Sequence, residues 1–266
     1  MLALVSESRL FVNGLLPQGA AVGIVGARGA TRSGLGKATA LAQGLAAKGV
    51  AVVSGGARGV DAAAHRGALA AAGATVVVLG HGLDVIYPPE HGALFAEVVA
   101  RGGALVTPFA AGTPPAGWRF RARNQIIAAL GQALVVVEAG TVSGSLSTAR
   151  AARALGRPVL AMPGSPGTDR LLETGAASLC DDVADVLAAL AGQTRKLEQE
   201  APRWGSDEAA LLAVLAPERA LAADEVAARA GLDLDGVLAG LCELELSGLA
   251  LRDASGRWLR SRIEVT

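Results

Sequence analysis

Four places in the sequence bring together residue types that can meet a phosphate or a base. Gly26, Ala27, Arg28 and Gly29 follow an apolar run. Glycines there permit close backbone approach, and a following helix offers free N–H groups to an anion, so the turn reads as a phosphate site with Arg28 as its cation. Ser54, Gly55 and Gly56 make a second glycine-rich turn, with Asp61 and His65 four positions apart just beyond it. That spacing puts a carboxylate and an imidazole on one helix face, where they can form an acid/base pair. With no third partner in sequence reach, the preferred reading is packing: Asp61 favours a helix N-terminus and holds His65. Ser143, Gly144 and Ser145 form a third concentration of small and hydroxyl residues. The fourth place is WRFRARNQII (118–127), with Arg119, Arg121, Arg123 and Asn124 beside Trp118 and Phe120. Arginines interleaved with aromatics suit phosphate contact plus base stacking on a single strand, or else a solvated helix face with two core aromatics.

Stricter phosphate motifs fail. A G-x-G-x-x-G frame from Gly34 and Gly36 ends on Thr39, with no acid about 20 residues on to hold a ribose. A Walker frame ending in Gly36 and Lys37 has Thr31 at its first glycine and Ala38 after its lysine. Cysteines 180 and 242 lie 62 positions apart in apolar surroundings, which suits neither a disulfide framework nor zinc and predicts two core residues. The expectation is a site with no metal, no cofactor and no catalytic residue.

These turns need strands to place them. Continuously apolar runs predict strands at Ala20–Val25, Val50–Ser54, Ala74–Leu79, Gly103–Thr107, Ala133–Glu138 and Pro158–Met162. Between them, Gly34–Lys48, Val60–Ala72, Pro89–Arg101, Phe120–Leu130 and Ser145–Leu155 read as helices, and Asp181–Leu190 closes the series behind acids suited to a helix N-terminus. The alternation predicts an α/β fold: a Rossmann-like, doubly wound, mostly parallel sheet. Residues 191–202 are polar and unpatterned. Beyond them, Ser206–Ala216 with Ser206 as N-cap, Ala222–Ala230 ended by Gly231, and Asp233–Leu246 read as three helices, and GLALRDASGRW (248–258) as a hairpin. Together they predict a small winged helix-turn-helix. The division expected is 1–192, a linker at 193–203, and 204–266.

Composition agrees with a folded chain: 52% of residues are apolar and 18% charged, far from a disordered balance. No apolar stretch approaches the ~20 residues of a membrane span, and the start lacks a secretory pattern, so a cytoplasmic protein is expected. The net charge is zero but uneven. Residues 26–160 hold 13 Lys and Arg against five acids, whereas residues 203–266 hold seven against 11. The first segment can hold a polyanion and the last repels one. The preference for arginine over lysine follows as readily from overall composition as from a need for phosphate forks.

Several segments together carry a family resemblance. IVGAR (24–28), SGGARGVDAAAH (54–65), GHGLDVIYP (80–88), RNQII (123–127), EAGTVSGSLSTA (138–149), GRPVLAMPG (156–164) and LLETGA (171–176) occur in the order, and at about the spacing, of the DprA/Smf family of DNA-processing proteins. RLFVNGLLP (9–17) is similar to the segment that leads into that family's Rossmann-like domain, and the final module resembles its accessory winged domain. The small helical domain with which members begin is not expected here. The resemblance implies a homodimer that binds single-stranded DNA in natural transformation and helps load the RecA recombinase, without an established catalytic activity. By motif, it implies a DNA pocket lined by Arg28, Ser54, Gly55, Arg123, Asn124, Gly144 and Ser145, to which the residue chemistry adds Gly26 and Arg121. The chain departs from the family at Gln125, where a second arginine is usual, at Thr107 and Pro108 in place of Ser-Glu, and at Asp169 in place of asparagine.

Two rival readings remain at this stage. Nucleotide phosphoribohydrolases and molybdenum-cofactor carriers share the glycine-rich turns, but the former need a P-G-G-x-G-T turn followed by a glutamate, and residues 143–149 offer no acid. The other is an interaction scaffold. Asp233, Asp235, Glu243 and Glu245 on the last helix oppose DNA, so the winged module is expected to contact protein through apolar helix faces.

Overall fold

The computed structural model describes residues 10–194, 206–246, 249–253 and 255–261. The chain divides into two compact units that change over between Lys196 and Leu197, with Glu173–Ala176 counted to the second.

In the first unit, strands β1 (Phe11–Gly14), β2 (Ala21–Val25), β3 (Ala51–Gly55), β4 (Thr75–Val78), β5 (Ala104–Thr107), β6 (Ala133–Val136), β7 (Val159–Ala161) and β8 (Ser178–Leu179) form one sheet. Its order is β1-β5-β4-β3-β2-β6-β7-β8. Every pairing is parallel except β1 with β5. The helices are α1 (Arg32–Ala47), α2 (Val60–Ala70), α3 (Gly92–Ala100, after a 3-10 turn at Pro89–His91), α4 (Gly117–Leu130), α5 (Gly144–Ala154), α6 (Pro166–Glu173) and α7 (Val183–Leu190).

Every residue of β2 to β7 is buried, as continuous apolar runs require. One apolar cluster joins Val22, Ile24 and Val52 to Leu41 and Leu45 of α1, and another joins Val77 and Leu105 to Phe95 and Val98 of α3. A fully buried leucine such as Leu45 contributes about 1.5–3 kcal/mol. From β2 the chain winds outward through β3, β4 and β5. It then returns to lay β6 on the other side of β2. That reversal opens a crevice at the carboxyl ends of β2 and β6, the place where such sheets usually bind ligands.

All six expected strands form. Two more were not foreseen: β1, whose four residues are all exposed, and β8, which has two residues. Helix α6 was also missed. Its start carries Pro166, which is well suited to a first helical turn. The last helix of the unit begins at Val183, with Asp182 as N-cap in a capping box with Asp185.

The second unit holds α8 (Ser206–Val214), α9 (Ala223–Ala230), α10 (Leu234–Leu246) and a hairpin of β9 (Ala250–Arg252) and β10 (Trp258–Arg260). This is the expected winged arrangement, around a core that includes Leu211, Leu221, Leu241 and Trp258. Gly231 ends α9 in the left-handed conformation, φ 69°. The expected linker from residue 195, the Ser206 side chain and residue 254 of the turn lie outside the described residues.

One cysteine expectation is corrected. Cys180 is buried, but Cys242 is exposed. On α10 the inward positions are Val237, Leu241 and Leu244, and one residue past Leu241 the helix has turned about 100° away.

Candidate nucleic-acid interface

The first glycine turn is shaped by the reversal in strand order. Gly26 lies so close to α2 that a Cβ would come within 2.6 Å of Val60 Cγ2. Ala27 donates its N–H to the Glu138 carbonyl at 2.7 Å, closing the turn against the end of β6. The Glu138 side chain then reaches the start of α1. Thr31 donates its N–H to both carboxylate oxygens, at 3.0 and 3.2 Å, and its hydroxyl to Oε2 at 2.7 Å. The Thr31 hydroxyl in turn accepts the Gly34 N–H as N-cap. A Cβ at Gly34 would fall 2.0 Å from Glu138 Oε2. The expectation of an anion site freely offered by this helix is therefore corrected: the seat holds a carboxylate of the chain itself.

The second turn is fixed from below. Ser54 is fully buried and donates to the Ile24 carbonyl at 2.5 Å, tying β3 to β2. His65 is also fully buried. Its Nε2 donates to the Gly55 carbonyl at 2.9 Å, and its Nδ1 lies 2.7 Å from Thr75 Oγ1. Burial lowers its pKa to about 4, so the ring is neutral at physiological pH. The idea that Asp61 holds His65 is corrected: Thr75 and Gly55 do, and Asp61 faces elsewhere.

Asp61 faces Arg123. The guanidinium Nη2 lies 3.6 Å from Asp61 Oδ2, while Nη1 donates to the Val78 carbonyl at 2.9 Å. Both side chains are more than nine-tenths buried. Burial pushes the Asp61 carboxyl up, against the pull of Arg123, and lowers the Arg123 pKa, against the pull of Asp61. Gly55 is what admits the guanidinium, since a Cβ there would sit 1.5 Å from Nη1. Arg123 Nε is buried without a hydrogen-bond partner among the described residues.

Arg123 forms the inner wall of a small open pocket at the ends of β3 and β4. Arg28 stands at its mouth, exposed, with its guanidinium 5.2 Å from the centre of the Phe120 ring. Tyr87 lies 5.7 Å from the same ring at 32°, and His81 meets Tyr87 edge-on at 6.3 Å. Gly80 leaves room for Phe120, where a Cβ would approach to 2.7 Å. Arg58 lines the same pocket and pairs with Glu90, both exposed. The result is a cationic, ring-lined concavity that suits a phosphate and a flat base together.

The remaining predicted residues divide. Arg121 is exposed on α4. Asn124 is buried and ties α4 to the start of α5, donating to the Gly144 carbonyl at 3.2 Å and to Ser147 Oγ at 2.9 Å. Ser145 is buried against Ser143, the N-cap of α5, with the hydroxyls 2.7 Å apart, while Gly144 is exposed. Of the divergent positions, Thr107 is buried and donates to the His81 carbonyl at 2.7 Å, and Asp169 accepts the Gly164 N–H at 2.7 Å. Glu138, Tyr87 and Arg58 were not singled out from residue chemistry. The available signal for Glu138 was a lone acid at a strand end in a strongly basic segment.

Comparison with known proteins places this geometry in a family context. A family model described as DNA recombination-mediator protein A matches residues 6–191, and one described as the DprA winged helix domain matches residues 195–256. The putative DNA processing protein DprA of Mycobacterium tuberculosis (strain CDC 1551 / Oshkosh) is 44% identical over 254 residues, 90% of this chain and 64% of that protein. This chain thus spans under two-thirds of that relative's length. The X-ray structure of DNA processing protein A from Streptococcus pneumoniae superposes with a TM-score of 0.62 at 37% identity, covering 67% of this chain and 65% of that one. DNA processing protein A from Helicobacter pylori, in a structure concerned with that protein's single-stranded DNA binding mode, gives a TM-score of 0.62 at 30% identity, covering 69% and 86%.

Proposed function

The chain belongs to the DNA recombination-mediator protein A family, and from that premise we propose that its α/β domain binds single-stranded DNA and delivers it to a RecA-type recombinase. The observation that carries this reading is the pocket with Arg28 stacked over Phe120 at its mouth and Arg123, one nitrogen unpartnered among the described residues, at its inner wall. The excess of basic residues over 26–160 supports it, as does the ligand of the H. pylori relative. The strand's phosphates meet Arg28, Arg123 and Arg121, while Gly26, Gly55 and Gly144 allow close approach. Ser54, Asn124 and Ser145 act from beneath, by holding β3, α4 and α5 in place. Residues 1–192 form the binding domain, 193–203 the linker and 204–266 the winged module. The working unit is a cytoplasmic homodimer.

The site's role is binding, not catalysis. Asp61 is committed to Arg123, and His65 is neutral and sealed between Thr75 and Gly55, so neither faces the pocket as a base. Release of a base from a nucleoside monophosphate should therefore be undetectable.

The test is a titration of labelled oligo-dT against duplex of equal length. Oligo-dT should bind tighter, with log affinity falling on log salt at a slope of about −2 to −3, as three or four phosphate contacts to a single strand require. Equal preference for duplex, or affinity indifferent to salt, overturns the reading.

A further inference from the structure

Trp118 lies in the first turn of α4 and is 56% exposed, more than any other aromatic side chain among the described residues. A tryptophan at that position would ordinarily bury its ring, because the indole is the largest apolar surface a residue can remove from water. Here the ring is instead fixed at the surface by its neighbours. The Arg119 guanidinium lies over it, 4.9 Å from the ring centre, and Phe109 meets it edge-on at 5.9 Å and 90°. Arg119 is itself immobilised. It donates to the Pro114 carbonyl, lies 5.7 Å from the centre of the Phe109 ring, and has its Nε buried. The indole is thus held in one orientation with more than half of its surface in water. Phe120, two residues on, turns the other way into the pocket wall. Arg121, three residues beyond Trp118, lies beside it on the same side of the helix and is exposed.

We propose that Trp118 is a stacking platform for an unpaired base of the bound strand, outside the pocket, with Arg119 backing the ring and Arg121 meeting an adjacent phosphate. This rests on the single-stranded DNA reading above and adds to it a base-directed contact. Because every base has a flat π-face, the platform accepts any sequence but requires the base to be out of a duplex.

The test uses the full chain, its intrinsic tryptophan emission, and two strands of equal length, oligo-dT and an abasic oligonucleotide with the same phosphates. With Trp204→Phe introduced in every protein compared, oligo-dT should quench the emission, since of the two remaining tryptophans Trp118 is exposed whereas Trp258 is buried. Trp118→Phe, which keeps a ring that can stack, should lose most of the quench and retain affinity. Trp118→Ala should lose about 5- to 150-fold in affinity for oligo-dT and bind the abasic strand as wild type does. The platform is overturned if Trp118→Ala binds oligo-dT like wild type, or if its loss is equally large on the abasic strand. If wild type binds neither strand, the single-stranded DNA reading falls first and takes the platform with it.

Discussion

Both units carry arginines and both have folds that often bind DNA, yet they commit those arginines differently. In the α/β domain Arg28 stands exposed over a ring at a pocket mouth, and Arg121 is exposed nearby on α4. In the winged module Arg252 lies 4.1 Å from the centre of the Trp258 ring, Arg257 pairs with Glu225, and Arg260 reaches the Leu212 carbonyl. The helix that would enter a groove, α10, exposes Asp233 and Asp235 at its start and Leu234, Leu238 and Cys242 along one line. A groove reader needs cationic and amide side chains on that helix. The winged fold alone does not decide the matter; what differs is the helix that would enter a groove, which here presents carboxylates and apolar side chains where a reader presents cations and amides.

The largest effect that bears on this contrast concerns Arg123, which lines the α/β pocket and is also structural. Arg123→Ala leaves Asp61 buried without its ion pair and should cost about 3–5 kcal/mol of stability, read by urea unfolding. A variant as stable as wild type would show that the buried pair is not holding α4 to α2.

Acid should also distinguish the units. Between about pH 6.5 and 4 the unfolded chain protonates His65 while the native state, with its pKa lowered to about 4, does not. Stability is therefore lost as pH falls through that window, by up to about 3 kcal/mol. Asp61, whose pKa is raised, works in the opposite sense and returns part of it. All three histidines of the chain lie in the α/β domain, so the loss that begins near pH 6.5 belongs to it, whereas the module's Glu225 and Asp253, whose pKa values are lowered by hydrogen bonds, lose their contribution only in more acid solution. His65→Gln should flatten the dependence, and an unchanged acid loss in that variant would contradict the assignment.

Arg28→Ala separates binding from stability. It should reduce affinity for oligo-dT by about 1.5–3 kcal/mol, the range for charge-assisted contacts, and leave the urea midpoint in place because the side chain is exposed. The smallest effect is expected from truncation at Pro202, which should change affinity for oligo-dT by less than about 1.4 kcal/mol, or tenfold. A larger loss, from a truncated protein that is still folded and keeps the oligomeric state of the full chain, would mean that the winged module binds DNA after all.

The contrast also explains what could be read from the sequence. Strands buried on both faces announce themselves as apolar runs, so six of the eight were placed from residue order alone. Strand β1, FVNG, is an exposed edge with no pattern to betray it, and β8 is too short to carry one. In the site, glycine turns and the WRFRARNQII segment were legible because they are local. Which of its arginines turns inward was not, because Arg123 is selected by Asp61, 62 positions away, and by the space that Gly55 leaves. Likewise Thr31 and Glu138 meet across 107 positions. Contacts of that span leave no periodicity.

The carboxylate at the start of α1 has a consequence for what size of ligand the molecule retains. Glu138 is tethered, so it competes for the Thr31 N–H at an effective concentration on the order of millimolar or more, whatever the composition of the surroundings. A small phosphate arriving alone must displace that resident acid and gains only one seat by doing so. A strand bound as proposed would not depend on the seat, because its phosphates would be met along the neighbouring pocket and α4. On the proposed reading, the site would therefore discriminate by chain length, gaining little from a lone phosphate and more from a strand.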